Sequence, residues 1–461
     1  MPTGTATPRE VVRLDASAAA LPPRRAPQLL RLLTCGSVDD GKSTLIGRLL
    51  FDSRALFADQ IDAIEKASKR RGEQQIDLSL LTDGLRWERE QGITIDVAYR
   101  YFTTANRRFI LIDSPGHAQY TRNMVTGASN ADATVILVDV RHGVQEQTHR
   151  HAVLAALLGI RTLIVAVNKM DLVNWSESAF AAVREAFEHI RPELLAAGGA
   201  NVVYVPVSAL NGDNIVTRSA AAPWYTGPAL LELLEAAPTH FLDPDGPSRF
   251  PVQYVIRPRT KAADGHDFRG YAGQVASGVF KVGDRVVAAS TGKSSVIESI
   301  HLHDRQLTEC RPPQSVTITL TDDIDIGRGE MLVRENGGGD IPPTIREFSA
   351  TLVWMSQTKL DVGRKYLLRH ATQFTPAVVS SIQTRLDVHT LAHTPLPAAE
   401  SRSLECNDIA RVSIRTAAPI HADAYTRCRA TGSFVLIDEA TGDTVGAGMI
   451  SDPASSAESR T

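Results

Sequence analysis

The segment Gly36-Ser-Val-Asp-Asp-Gly-Lys-Ser43 fits the pattern G-x-x-x-x-G-K-[ST] of a loop that binds phosphate. Its two glycines let the backbone turn so that successive N–H groups face a phosphate, while the lysine adds a positive charge and the last serine offers a hydroxyl to Mg²⁺. An apolar run precedes the loop and a helical pattern of leucines follows it, in the required order strand, loop, helix. The alternative is a glycine turn that only joins a strand to a helix. We predict that a nucleoside triphosphate is bound by Gly36, Ser37, Val38, Asp39, Asp40, Gly41, Lys42, Ser43 and Thr44.

A second polar segment follows the third predicted strand, and parallel sheets bind ligands beyond the carboxyl ends of their strands. Asp113 is suited to hold a water molecule on Mg²⁺, and the N–H of Gly116 is suited to meet a γ-phosphate. The whole predicted segment is Asp113, Ser114, Pro115, Gly116 and His117.

Thr94 lies in Gln91-Gly-Ile-Thr-Ile95, at the end of a charged stretch from Ile64 to Glu90 that is predicted to be loop-like. Its hydroxyl can reach Mg²⁺ only when a γ-phosphate and the metal pull the loop inward, as in a nucleotide switch. The alternative is that Thr94 merely starts the following strand. The predicted metal ligands are Ser43, Thr94 and, through water, Asp113.

Two further segments follow the fifth and sixth predicted strands. The carboxylate of Asp171 can accept hydrogen bonds from both the ring N–H and the exocyclic amine of guanine, a donor pair that adenine lacks. The backbone N–H of Ala209 would donate to the guanine carbonyl. GTP rather than ATP is therefore predicted, and the alternative is that Asp171 only caps a helix. The base-reading residues are Asn168, Lys169, Met170 and Asp171, then Ser208, Ala209 and Leu210.

Alternating strands and helices must position these residues. Short apolar strands and amphipathic helices from Leu29 to about Leu242 predict a mostly parallel sheet that is covered on both faces. The predicted strands are Leu29 to Leu33, Val97 to Phe102, Phe109 to Ile112, Thr134 to Val138, Leu163 to Val167 and Val202 to Val205. The predicted helices are Ser43 to Phe57, Tyr120 to Ser129, Gln145 to Leu158 and Glu177 to Leu195.

After Phe250 the pattern changes to short segments with period two, separated by Gly and Asp turns, which predicts β-barrels. The chain of 461 residues suffices for three domains with their own cores. We predict a P-loop GTPase domain over residues 28–243, a barrel over 248–343 and a second barrel over 346–452, between a disordered leader (1–27) and tail (453–461).

Composition narrows the function classes. Hydrophobic residues at 43%, charged residues at 22% and a net charge of −3 are ordinary globular values and give no general attraction to nucleic acid or anionic membrane. The four cysteines are widely spaced, without a Cys-x-x-Cys pair, which indicates reduced thiols and a cytoplasmic protein. Residues 1–27 show no signal peptide or membrane helix pattern.

Together these motifs resemble the elongation-factor-Tu class of translational GTPases, and the two barrels fit that class. Within the class, the sequence is most similar to the GTPase large subunit of bacterial sulfate adenylyltransferase. The narrower resemblance covers about residues 28–452. It is carried by Thr34-Cys-Gly-Ser-Val-Asp-Asp-Gly-Lys-Ser-Thr44, Asp83-Gly-Leu85, Glu88-Arg-Glu-Gln-Gly-Ile-Thr-Ile-Asp-Val-Ala-Tyr99, Tyr120-Thr-Arg-Asn-Met-Val-Thr-Gly-Ala128, Pro223-Trp-Tyr225, Asp267-Phe-Arg-Gly-Tyr-Ala-Gly273 and Arg429-Ala-Thr-Gly-Ser-Phe434.

The resemblance implies a subunit that uses GTP and Mg²⁺ and couples GTP hydrolysis to formation of adenosine 5′-phosphosulfate and pyrophosphate from ATP and sulfate. A separate small subunit would perform the adenylyl transfer in a heterodimer or larger complex, without nucleic acid or membrane. Because no second P-loop follows the second barrel, no adenylylsulfate kinase activity is expected. The rival interpretation is a translation factor acting on the ribosome or tRNA.

The resemblance also implies roles for individual residues. His117 would orient the attacking water, while Lys42 and Thr94 would complete the catalytic set. Val38 and Ile93 would form an apolar gate that restrains His117. Asp39 would help to place a monovalent cation, whereas Asp40 stands where the elongation factors commonly have His, so its contacts are not implied. The alternative for His117 is a cap of the helix that begins near Tyr120.

Overall fold

The computed structural model describes residues 29–53, 58–70, 76, 78–81, 97–115, 121–196, 200–239, 245–257, 268–335, 341–387, 393–395 and 402–453. Of the predicted site, Thr94, Gly116 and His117 lie outside these ranges, as does Ile93 of the predicted gate. The predicted leader and residues 454–461 of the predicted tail also lie outside them. Within the described ranges, no helix is both long enough and apolar enough to cross a membrane.

A six-stranded sheet forms the N-terminal domain, with strand order β2-β3-β1-β4-β5-β6. The edge strand β2 is antiparallel to β3, and the other neighbours are parallel. The strands are β1 (Leu29–Gly36), β2 (Ala98–Thr103), β3 (Arg108–Asp113), β4 (Ala133–Asp139), β5 (Thr162–Asn168) and β6 (Asn201–Pro206). The helices are α1 (Lys42–Asp52), α2 (Ala58–Arg70), α3 (Thr121–Ala128), α4 (Glu146–Leu157), α5 (Glu177–Glu188), α6 (Arg191–Ala196) and α7 (Leu230–Ala236).

Alternation along the central strands explains why the sheet is covered on both faces. Every residue of β4 is buried, so successive side chains must pack into separate cores. Val135 and Leu137 lie in one core with residues of α1 and α7. Ile136 and Val138 lie in the other with residues of α3, α4 and α5. The predicted doubly wound, mostly parallel domain is therefore confirmed, although the single helix predicted from Glu177 to Leu195 is two shorter ones.

The prediction of a loop-like stretch from Ile64 to Glu90 is partly wrong. Its beginning belongs to helix α2, and a 3₁₀ helix covers Leu78–Leu81. Ile64 and Ser68 are buried at the spacing of one helical turn, and Gly72, the first helix breaker, comes only after α2 ends. From Ile64 to Arg70 the charged residues belong to a helix and not to a loop, and residues 82–90 lie outside the described ranges.

Two barrels follow, each built from antiparallel strands and closed by a pairing between two strands that are consecutive in the chain. In the first, β10 pairs with β11 to close the ring; in the second, β18 pairs with β19. The first comprises β7 (Phe250–Ile256), β8 (Gly270–Gln274), β9 (Phe280–Lys281), β10 (Arg285–Ala288), β11 (Ser294–Leu302), β12 (Arg305–Leu307), β13 (Glu309–Cys310), β14 (Ser315–Leu320) and β15 (Met331–Arg334). The second comprises β16 (Thr344–Trp354), β17 (Leu360–Asp361), β18 (Lys365–His370), β19 (Gln373–Leu386), β20 (His393–Pro395), β21 (Ser403–Leu404), β22 (Ile409–His421), β23 (Ser433–Ile437) and β24 (Thr444–Asp452).

The loop of residues 422–432, between β22 and β23, touches both other parts of the chain. Asp423 accepts two hydrogen bonds of 2.8 Å from Arg249 of the first barrel, and both side chains are fully buried. The hydroxyl of Tyr425 donates to the carbonyl of Leu158, at the end of α4, at 2.8 Å. Arg429 donates to the next carbonyl, of Gly159, at 3.4 Å. One loop therefore joins the second barrel to the first barrel and to the N-terminal domain.

We expect Arg249→Met to lower the free energy of unfolding by about 3–5 kcal/mol, because a buried carboxylate loses its two hydrogen bonds from Arg249 and keeps only Arg427, at 3.8 Å, as a cation. Urea unfolding followed by circular dichroism measures the change. Lys359→Met is the matched control, since it removes the cation of an exposed pair with Glu405, and exposed pairs contribute little to stability. Equal midpoints for Arg249→Met and the unmodified chain would contradict the expectation.

The same pair adds a pH dependence to stability. Burial alone would raise the pKa of Asp423, but the hydrogen bonds and charge of Arg249 outweigh it and hold that pKa below its usual value. The stabilisation is complete above the unfolded-state pKa, about 3.9 for Asp, and is lost as pH falls through the lower folded-state value. Stability of the unmodified chain should therefore decline below about pH 4 partly through Asp423, and Arg249→Met should weaken that decline.

Candidate functional site

The phosphate-binding loop joins the end of β1 to the start of α1, as predicted. Gly41 is the N-cap of α1 and has φ of 92°, a conformation that favours glycine. A Cβ atom at this position would lie 2.5 Å from Nδ2 of Asn168, so the second glycine of the motif also permits close approach of the base-reading segment. Buried Leu45, Ile46 and Leu49 anchor the helix that follows. The sequence therefore fixes both the shape of the loop and its distance from β5.

Lys42 and Asp113 meet across the carboxyl ends of β1 and β3. The ammonium of Lys42 lies 3.3 Å from Oδ1 of Asp113 and also donates to the carbonyl of Ser114. Lys42 is 9% exposed and Asp113 is 1% exposed, so the charges compensate each other in a largely buried setting. Ser114 is anchored in turn, since its hydroxyl donates to the carbonyl of Thr34 at 3.0 Å. The structure thus brings together the phosphate-binding and metal-binding candidates of the described chain.

Asn168 connects the phosphate loop with the last base-reading segment. Its Nδ2 donates to the carbonyl of Asp40 at 2.7 Å, and its Oδ1 accepts from the backbone N–H of Ala209 at 2.9 Å. A guanine carbonyl would have to compete with Asn168 for that N–H, so the contact expected for Ala209 stays a prediction. Asp171 begins no long helix but lies in a 3₁₀ helix, Met170–Val173.

Asp40, whose contacts the resemblance did not imply, closes the phosphate loop on itself. Its carboxylate accepts from the backbone N–H of Ser37 at 2.7 Å and from that of Asp139 at 3.4 Å. Burial raises the pKa of Asp40 to about 6, although these hydrogen bonds act in the opposite direction. The Asp40 carboxylate therefore stabilises the phosphate loop by accepting hydrogen bonds from backbone N–H groups.

Arg48 of α1 holds the loop that contains Ala209 and Leu210. Its guanidinium donates to the carbonyl of Ala209 at 3.3 Å and to that of Leu210, and it pairs with Asp52 at 3.5 Å. Because α1 begins at Lys42, this contact ties the base-reading loop to the helix that carries the phosphate-binding lysine. Sequence reasoning missed Arg48, since nothing in its helical pattern marks it as more than a surface cation.

We expect Arg48→Met to raise the KM for GTP about tenfold with little change in kcat, because the base-reading loop loses two hydrogen bonds from a charged donor. Steady-state GTP hydrolysis measures both constants. Arg184→Met, a substitution on α5, is the control for the loss of one arginine from a helix. A fall in kcat with unchanged KM would show that Arg48 does not act through the loop.

The structure places the remaining predicted residues in two groups. Ser37, Pro115, Met170 and Ser208 are buried and shape the loops. Val38 and Leu210 are 45% and 53% exposed, so their side chains face solvent here. His301 lies on β11, whereas His303 lies beyond that strand with φ of 51°, so the two histidines do not share a strand face. No group of three or more His, Cys, Asp or Glu suited to a metal occurs in the described ranges.

Asp139, at the end of β4, is the other residue that sequence reasoning missed. It is fully buried, and its carboxylate lies 3.0 Å from the ammonium of Lys169. Lys169 also donates to the carbonyl of Asp39. The sequence did contain a signal for Asp139, because its carboxylate directly follows an apolar strand and the carboxyl ends of the neighbouring strands supply the other site residues.

Family comparison agrees with this architecture. Residues 27–242 match the family described as Elongation factor Tu GTP binding domain. Residues 347–451 match the family described as GTP-eEF1A C-terminal domain-like. A crystal structure of Sup35 complexed with GDP is similar at 22% identity and a TM-score of 0.41, over 93% of this chain and 94% of that chain. The two family matches support the fold of a P-loop GTPase domain followed by β-barrels, and the first of them supports the use of GTP.

Two relatives are similar over most of this chain. The protein named Sulfate adenylyltransferase subunit 1 from Saccharophagus degradans is 48% identical over 92% of this chain and 87% of its own length. The protein named Bifunctional enzyme CysN/CysC from Mycobacterium tuberculosis is 51% identical over 92% of this chain and 67% of its own length. This chain, with its GTP-binding domain and the geometry described above, therefore belongs to the family of sulfate adenylyltransferase subunit 1, the GTPase subunits of that enzyme.

Proposed function

We propose that this chain hydrolyses GTP and that the hydrolysis drives formation of adenosine 5′-phosphosulfate and pyrophosphate from ATP and sulfate. A separate catalytic small subunit performs the adenylyl transfer. The proposal rests on one observation, that the phosphate-binding residues and the base-reading residues lie together at the carboxyl ends of the parallel strands. Lys42 and Asp113 form the phosphate half, and Asn168 holds the phosphate loop at 2.7 Å beside the base-reading segments. The family to which the chain belongs supports the sulfate chemistry.

In this proposal the chain acts by positioning and by charge. The backbone of the phosphate loop and Lys42 neutralise the β- and γ-phosphates, and Asp171 reads guanine. Lys42 exchanges the carbonyl of Ser114 and the carboxylate of Asp113 for phosphate oxygens. The predicted roles of Gly116 at the γ-phosphate and of His117 at the attacking water fall outside the described residues and are part of the proposal.

Mg²⁺ fits the side chains present. Oxygen ligands are what a hard cation prefers, and the buried Asp113 carboxylate lies within 3.3 Å of the phosphate-binding lysine. Ser43, in the first turn of α1, would supply a hydroxyl, Thr94 a second hydroxyl and Asp113 an acceptor for a metal-bound water. Bound Mg²⁺ would neutralise charge that develops on the phosphate oxygens.

The complex is proposed to be a heterodimer or larger assembly in the cytoplasm. The names of its relatives include the word subunit, which supports a partner, and the four cysteines are free, which fits a reducing compartment. We also propose that residues 28–243 form the GTPase domain, residues 248–343 the first barrel and residues 346–452 the second barrel. The rival function, a translation factor acting on the ribosome or tRNA, is not favoured, because the similar relatives carry the name of sulfate adenylyltransferase.

Pyrophosphate release from ATP and sulfate tests the proposal. We mix this chain with its candidate small subunit and measure release with and without GTP. GTP-dependent release is the expected result. No release in any mixture, together with binding to ribosomes or aminoacyl-tRNA, would establish the rival function.

A second measurement tests the role of the partner in hydrolysis. We expect the small subunit to accelerate GTP turnover by this chain, because the motifs are typical of a switch with a slow resting state. His117→Ala should remove about 100-fold or more of the accelerated rate. Equal turnover with and without the subunit would contradict partner activation, and full turnover by His117→Ala would contradict the role of His117.

A further inference from the structure

Asp139 gathers two cations at the edge of the nucleotide site. Its carboxylate accepts from Nε of Arg141 at 3.0 Å and from Nη2 at 2.7 Å, a two-point contact. The backbone N–H of Arg141 adds a third hydrogen bond of 3.0 Å. The ammonium of Lys169 lies 3.0 Å from the same carboxylate. Asp139 is fully buried, whereas Arg141 is 43% exposed, so the carboxylate is the fixed partner.

Lys169 is thereby held between two fixed oxygens. Besides the Asp139 carboxylate it contacts the carbonyl of Asp39, in the phosphate loop. Its backbone is also constrained, since it has φ of 63° in the left-handed region. The side chain belongs to the base-reading segment, and so its position links that segment to the phosphate loop. Without the carboxylate, one of the two anchors of Lys169 is lost.

We propose that Asp139 is a positioning residue for guanine nucleotide binding, which anchors Lys169 on the phosphate loop. It acts through the side chain of Lys169 and is not itself placed in contact with phosphate or base. The inference rests on the proposed guanine-nucleotide site. It is tested by GDP binding without ATP, sulfate or a partner, so its failure is separable from failure of sulfate activation.

The test is the dissociation constant of N-methylanthraniloyl-GDP for the full chain and for Asp139→Asn. The amide keeps the size of the side chain but turns a donor group toward two cations. We expect the dissociation constant to rise at least about tenfold, the effect of one lost charge-assisted hydrogen bond. The kcat for GTP at saturation should stay within about threefold, because Lys42 and Asp113 keep their contacts.

The double variant Asp139→Asn/Lys169→Met tests whether Asp139 acts through Lys169, and Lys169→Met alone completes the cycle. The double variant should bind the probe within about threefold of Lys169→Met, because the side chain through which Asp139 acts is already gone. If it binds at least about tenfold more weakly than Lys169→Met, the role of Asp139 toward Lys169 is overturned. If Asp139→Asn binds the probe as the unmodified chain does, the whole proposal is overturned.

A matched control distinguishes positioning from general destabilisation. Asp438→Asn removes another carboxylate that pairs with an arginine, Arg364, but in the second barrel. It should leave probe binding unchanged. If Asp139→Asn lowers kcat and the thermal midpoint together, with no separate effect on affinity, then its role is structural and the proposal is overturned.

Discussion

Asp171→Asn is expected to lower kcat/KM for GTP by at least about 100-fold and to transfer the preference of the site from guanine to xanthine. Guanine presents two adjacent donors, which match the two oxygens of a carboxylate. Xanthine presents one donor and one carbonyl, which match the oxygen and the NH₂ group of asparagine. Turnover of GTP and of xanthosine triphosphate by both forms of the chain measures the change.

The matched control is Asp62→Asn, which alters an exposed carboxylate on α2. It should leave both substrates at the rates of the unmodified chain. If Asp171→Asn used GTP normally, Asp171 would not read the base, and its place in the 3₁₀ helix after β5 would have only a local structural role. In the reconstituted complex, the same substitution should abolish GTP-dependent release of pyrophosphate while xanthosine triphosphate restores it.

Lys42→Met is expected to lower kcat for GTP hydrolysis by about 100- to 1000-fold, the range seen when one charge-stabilising donor is removed. The substitution also removes the ion pair of Asp113, a carboxylate with only 1% of its surface exposed. We therefore expect an additional loss of stability of about 1–3 kcal/mol. GTP turnover and thermal unfolding measure the two effects separately.

Lys69→Met serves as the control, because Lys69 is 78% exposed and pairs only loosely with Glu65 at 4.0 Å. It should change neither turnover nor stability appreciably. Unchanged kcat in Lys42→Met would contradict the assignment of the phosphate loop. A loss of stability without any loss of turnover would reduce Lys42 to the counter-ion of Asp113.

Local signals accounted for most of the N-terminal domain. The apolar run before Gly36 and the helical spacing of Leu45 and Leu49 were enough to predict strand, loop and helix, because each signal lies within one element. The motifs at the ends of β3, β5 and β6 came from their spacing and from the resemblance. The charged helix α2 was missed because most of its residues are polar, and one narrow face, which includes Ile64, is buried.

Contacts between elements could not be predicted in the same way. Nothing near Asp139 in the sequence shows that Lys169 contacts its carboxylate, since Lys169 directly follows the neighbouring strand β5. Arg48 reaches carbonyls more than 160 positions away in the chain. The barrels likewise contain pairings between strands that are far apart in the chain, such as β7 with β15 and β16 with β24, so period two predicted strands but not which strands would be neighbours.

The buried pair of Arg249 and Asp423 limits how this architecture can be divided by recombination. A crossover between the two barrels would leave a guanidinium or a carboxylate bare in a core, unless the incoming half supplied its complement. The 422–432 loop could also lose its hydrogen bonds to the carbonyls of Leu158 and Gly159 if the N-terminal domain were exchanged alone. We therefore expect the two barrels to be inherited together, and chimaeras joined between them to fold only when the incoming barrel supplies the arginine or the aspartate that completes the pair.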